Sequence, residues 1–88
     1  MLKNRIHPGQ FLREELGARG VSQSALARHI KAQANVVNQI CNEKRGISPE
    51  MAKKLAAALG TTPELWINLQ GTYDLYWADD PDFGKLRA

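Results

Sequence analysis

Apolar residues recur along the chain at three- and four-residue intervals, in five blocks separated by short polar or glycine-containing breaks. Phe11, Leu12 and Leu16 stripe the first block; Leu26, Ala27 and Ile30 the second; Val37 and Ile40, with Cys41 at the margin, the third. Met51, Leu55, Ala58 and Leu59 stripe the fourth, and Leu65, Trp66, Leu69 and Tyr73 the fifth. This spacing gathers each set on one side of an α-helix. No stretch alternates apolar and polar residues, so strands are not expected. The predicted fold is all-α, with five helices.

Local punctuation agrees with the stripes. Ser22 precedes "QSALARHI", Ser48 precedes "PEMAKKLAAALG" and Thr62 precedes "PELWINLQ". Each hydroxyl is placed to accept a hydrogen bond from a free backbone N–H of the first turn, and in two cases proline takes the first helical position. Gly60 is a natural residue to close the fourth helix. Only a few residues, around Lys31 and Ala32, separate the second helix from the third, and so short a connection forces a sharp angle, the geometry of a helix-turn-helix. With 88 residues, 43% of them hydrophobic, the chain has material for one modest core. Residues 1–78 are expected to form that domain, and "DDPDFGKLRA", residues 79–88, an acidic, loosely held tail.

Charge divides along the same line. Residues 1–60 hold ten Lys or Arg against four acids, whereas residues 61–88 hold two against five. A basic body suits a polyanion, and an acidic end suits a basic partner. No apolar run is long enough to cross a bilayer and Met1 to Gly9 lacks the apolar stretch of a signal peptide, so a cytoplasmic protein without membrane contact is expected. Cys41 is the single cysteine, which excludes an intramolecular disulfide, and it reads as a buried small hydrophobe. His7 and His29 lack partners at metal-binding spacing, so no metal and no cofactor are expected; His7 reads as the residue that starts the first helix. There is no acid–base pair, phosphate loop or nucleophile triad, and an enzyme is not expected.

The chemistry concentrates in "QANVVNQICNEKRG", residues 33–46. With Gln33 as cap and Ala34 as the first helical residue, Val37 and Ile40 point inward, leaving Gln33, Ala34, Asn35, Asn38 and Gln39 outward. An amide offers a donor and an acceptor on one planar head, the pair that adenine N6 and N7 require in the major groove. Those five positions are the candidate base readers. Ser22 and Gln23, at the start of the preceding helix, and Asn42, Lys44 and Arg45, after the third, are the candidate phosphate contacts. Leu75, Tyr76 and Trp77 form a large apolar load where little chain remains to cover them, and are candidates for a dimer or partner interface. One such motif contacts few bases, so a homodimer on a palindromic duplex, with recognition helices ~34 Å apart, is expected.

"VSQSALARHIKAQANVVNQICNEKRGIS" resembles the helix-turn-helix of the Cro and phage-repressor class, with Ala27 at the close-packing position and Val37 and Ile40 at the buried positions of the recognition helix. Together with "HPGQFLREEL", "ISPEMAKKLAAALGTTPELWINLQ" and "YDL", it is similar to the HigA-type antitoxins, also known as virulence-associated or plasmid-maintenance antidote proteins. The resemblance implies a dimeric autorepressor that binds its own operator and also neutralises a small basic ribonuclease toxin of the HigB or RelE-like kind. A stand-alone repressor with no toxin partner is the alternative. For toxin contact the candidates are the tail, with Asp79, Asp80 and Asp82, the first helix, and the aromatic end of the fifth. Two residues depart from the pattern: Lys31 stands where the tight turn usually has glycine, at a cost on the order of 1 kcal/mol if its φ is positive, and Glu43 makes "NEK" of the usual "NGK", placing an acid beside the expected phosphate path.

Overall fold

The computed structural model describes residues 6–87 and folds them into α1 (Pro8–Arg19), α2 (Gln23–His29), α3 (Ala34–Cys41), α4 (Pro49–Leu59) and α5 (Pro63–Trp77), with no strand among the described residues. Each helix begins where the sequence provides an acceptor for its orphan N–H groups, except α3. Ser22 Oγ accepts from the Ala25 N–H at 3.0 Å, Ser48 Oγ from Met51 at 3.1 Å and Thr62 Oγ1 from Leu65 at 3.2 Å. At α1 an imidazole takes that part: the Gly9 N–H donates to His7 Nδ1 at 2.8 Å, and Pro8 fills the first turn. Gly20 at φ 67° and Gly60 at φ 71° close α1 and α4 in the left-handed region that glycine enters without strain.

Leu12, Val37, Cys41, Ala52, Leu55 and Trp66 are fully enclosed, and Leu16, Leu26, Ala27, Ile40 and Ile47 nearly so. The expected stripes supply this core, with Phe11, Met51, Ala58 and Leu69 partly buried against it. Ile47, in the connection from α3 to α4, also joins it. Trp66 donates its indole N–H to Thr61 Oγ1 at 2.8 Å, so the largest core side chain carries no unmet polar atom. The "HPGQ" segment has a physical reading: a Cβ added at Gly9 would overlap the Ile40 carbonyl oxygen, so glycine allows the start of α1 to lie directly on the last turn of α3.

The fifth stripe is only partly realised. Trp66 is buried, but Leu65 and Tyr73 are half-buried, and beyond them Leu75, Tyr76 and Trp77 are exposed. The reason is reach, since the helix outlasts the body that covers it. The described chain measures 53 × 24 × 22 Å, with a radius of gyration of 15.4 Å against about 12 Å for a compact domain of this length. Residues 79–87 carry no regular structure and lie exposed. Residues 1–5 of the expected domain and residue 88 of the expected tail lie outside the described residues.

Two non-glycine residues adopt left-handed backbone, Lys31 at φ 59° and Glu43 at φ 62°. Lys31→Gly is expected to raise the unfolding free energy by about 0.5–1 kcal/mol, because glycine removes the Cβ penalty there while adding some freedom to the unfolded chain. A higher urea midpoint at unchanged slope is the predicted result, and a lower midpoint would contradict it. His7 offers a second test. Its burial pushes its pKa below the ordinary 6.5; Glu43 and Asp74 pull up against that dominant effect, and Arg13 adds a smaller push in the same downward direction. Above pH 6.5 the ring is neutral in both states; as the pH falls below 6.5 the unfolded chain binds the proton first and stability declines until the folded pKa is passed. His7→Asn, which keeps a cap acceptor but does not titrate, is expected to flatten that decline in melts between pH 7 and pH 5.

Candidate nucleic-acid interface

The outward face of α3 is prepared by what holds its inward face. Val37, Ile40 and Cys41 are at most 1% exposed, packed against α1 and α2, while Gln33, Ala34, Asn35 and Asn38 are exposed and Gln39 half-buried. At the turn, the Ala32 N–H donates to the Ala27 carbonyl at 2.9 Å and Lys31 takes up the left-handed conformation. Gln33 is the N-cap of α3, as its position suggests, but makes no side-chain cap bond. α3 thus opens with first-turn N–H groups that no side chain satisfies, next to exposed amides, an arrangement suited to an anion or a base edge.

The amides do not stand separately. Asn38 donates through Nδ2 to Gln23 Oε1 at 3.1 Å and accepts through Oδ1 from Asn42 Nδ2 at 3.1 Å. The structure therefore joins a candidate base reader to two candidate phosphate contacts in one directed chain spanning α2 and α3. Each clamp uses one donor or one acceptor of the Asn38 head, leaving it one of each. Arg45, a candidate phosphate contact, donates through Nε to Gln39 Oε1, of a candidate base reader, at 2.8 Å. Ser22 spends an oxygen lone pair on its cap and keeps its hydroxyl proton for donation, and Lys44 is exposed beside Arg45. Leu75, Tyr76 and Trp77 fall on the far end of α5, remote in the chain from this face.

Glu43 is accounted for by a residue that spacing does not single out. Arg13 of α1 donates through Nη1 to the Cys41 carbonyl, at the end of α3, and its Nη2 lies 3.3 Å from Glu43 Oε2. The acid is thereby drawn toward α1, and its left-handed backbone lets the Lys44 N–H close the helix on the Gln39 carbonyl at 2.8 Å. A second such residue is Gln70 of α5, whose Oε1 accepts from the Ile47 N–H at 2.8 Å and packs over Gly46, fastening the loop that follows Lys44 and Arg45. Cys41 is enclosed, and burial pushes its thiol up against a smaller opposing effect from Arg13, which suits a packing role. Among the described residues no group of three His, Cys, Asp or Glu side chains is placed to hold a metal ion, and no helix is long and apolar enough to cross a membrane.

Two short helices at a tight turn, the second polar outside and aliphatic inside, define a helix-turn-helix domain. The helix-turn-helix family profile matches residues 12–66. The chain is 41% identical over 80 residues to antitoxin HigA-1 of Vibrio cholerae, a match covering 86% of this chain and 75% of that protein. Antitoxin HigA of Pseudomonas aeruginosa, solved with the higBA promoter, superposes with a TM-score of 0.80 at 45% identity, covering 82% of this chain and 79% of that one. Antitoxin GraA, solved in complex with its operator, superposes at 0.75 with 48% identity, covering 80% and 72%. This chain belongs to the helix-turn-helix family, among its HigA-type antitoxins.

Proposed function

We propose that this protein is the antitoxin of a toxin–antitoxin pair: a dimeric, cytoplasmic autorepressor that binds a palindromic operator through α3 and also neutralises a small basic ribonuclease toxin of the HigB or RelE-like kind. The observation that carries the reading is the exposed amide face of α3, set over a fully buried aliphatic face, in a chain 45% and 48% identical to antitoxins solved with promoter or operator DNA. It acts by occupying partners, and no catalytic step is assigned to it. Gln33, Ala34, Asn35, Asn38 and Gln39 face the base edges; Ser22, Gln23, Asn42, Lys44 and Arg45 hold the backbone on either side. The pull of Arg13 on Glu43 keeps that acid from the phosphates Lys44 would meet. The exposed end of α5, Leu75, Tyr76 and Trp77, supplies the surface for the second copy or the toxin. Two-fold pairing then presents two α3 helices to the two halves of an inverted repeat.

Band shifts on the DNA upstream of the protein's own reading frame test this. Asn38→Ala is expected to weaken binding to that DNA by about 1–3 kcal/mol and to relax preference at one base position, whereas Lys44→Ala weakens binding to all duplexes and lowers the salt slope by ~1. Unchanged preference in the first variant would remove Asn38 from the readers, and an unchanged slope in the second would remove Lys44 from the phosphate contacts.

A further inference from the structure

Two non-glycine residues in left-handed backbone bracket the recognition helix, Lys31 just before α3 and Glu43 just after it. A side chain at such a position carries a strain that glycine would not, so each asks what its side chain does there. Glu43 answers inside the molecule, since its carboxylate meets the Arg13 guanidinium at 3.3 Å. Lys31 does not. It is exposed, and among the described residues its ammonium forms no ion pair and no hydrogen bond.

Charge around the turn is of one sign. From Leu16 to Asn42 the chain has no Asp or Glu, and the Lys and Arg residues of that stretch are Arg19, Arg28 and Lys31. Arg19 is engaged elsewhere, donating to Glu15 and to the Leu59 carbonyl. Arg28 is exposed and, among the described residues, has no acidic partner either. The Lys31 N–H donates to the Arg28 carbonyl at 3.3 Å, so the two cations stand about one turn apart and repel each other in the free protein. A service to the dipole of α2 does not account for Lys31, because Arg28 and His29 already occupy the last turn of that helix. Strain and repulsion at one exposed point are both relieved by a polyanion.

Reach selects the polyanion. Lys31 stands two residues ahead of Gln33, the N-cap of α3. The chain from Lys31 to Ala34 spans at most ~10 Å, and the lysine stem is long and flexible. A major groove is ~12 Å wide, so with the first turn of α3 against the base edges the Lys31 ammonium lies at the phosphates that border the groove.

We propose that Lys31 is a further contact to the DNA backbone, made at the turn and separate from those at the start of α2 and after α3, and that the strained lysine stands there for its charge. The proposal rests on the DNA reading through α3 given above. Lys31 ahead of α3 and Lys44 and Arg45 behind it then hold both ends of the helix to the backbone, which fixes its tilt while the amides meet the bases.

The test is a salt series of band shifts with the full chain, on the DNA upstream of its own reading frame and on an unrelated duplex, beside urea melts. Lys31→Met, which keeps a side chain and removes the charge, is expected to weaken binding to both duplexes roughly five- to tenfold near 0.1 M salt and to lower the salt slope by ~1, while Lys31→Arg keeps the slope. Lys31→Gly is expected to lower the slope equally although its urea midpoint rises, so that stability and affinity move in opposite directions. An unchanged slope in Lys31→Met and Lys31→Gly, with the slope lowered in Lys44→Ala, overturns the Lys31 contact and leaves the DNA reading standing. A loss confined to one duplex assigns Lys31 to the bases and overturns the backbone contact. Failure of the unaltered protein to shift either duplex overturns the DNA reading and the proposal with it.

Discussion

The seating of α3 governs this molecule. An eight-residue helix is too short to persist alone in water, so its existence and its aim both come from packing. Val37, Ile40 and Cys41 are driven into the core, Gly9 lets α1 lie on the Ile40 carbonyl without a side chain between, and Arg13 grips the carbonyl at the end of the helix. With the inward face fixed by exclusion of water, the outward face follows from the helical period. The amides need no other device to hold them outward.

That seating explains why polar groups elsewhere are spent so economically. Four of the five helices take a side-chain cap, and the one that does not is α3, whose first turn begins among the exposed Gln33, Ala34 and Asn35. The directed chain from Asn42 through Asn38 to Gln23 orients one carboxamide while leaving it a donor and an acceptor. Gln70 ties the loop after α3 to α5, so the helix whose apolar end stands exposed is fastened mechanically to the loop that follows Lys44 and Arg45.

The features legible in the sequence are those written within a few residues of one another. Ser22, Ser48 and Thr62 announce their helices because a cap bonds three residues ahead, and Lys31 betrays its strained turn because it stands where the resembled motif usually has glycine. What escaped lies in contacts between distant segments. Arg13 meets Cys41 and Glu43 across about thirty residues, Gln70 meets Ile47 across more than twenty, and nothing in local spacing marks either. Gln23, Asn38 and Asn42 are each readable from the sequence as candidate DNA contacts, yet their union in one hydrogen-bonded chain needs the angle between α2 and α3. The apolar end of α5 was legible as excess load, but only the three-dimensional body shows where its cover runs out.

The central claim, that the α3 amides enter the groove of duplex DNA, is tested most directly by following side-chain NH2 resonances in an 15N-labelled sample titrated with the duplex from the protein's own upstream region. The account predicts that the NH2 signals of Gln33, Asn35 and Asn38 shift together at saturation while that of Gln70, held between α5 and the loop that follows α3, stays in place. Shifts confined to other surfaces, with the α3 amides unmoved at saturating duplex, would contradict it.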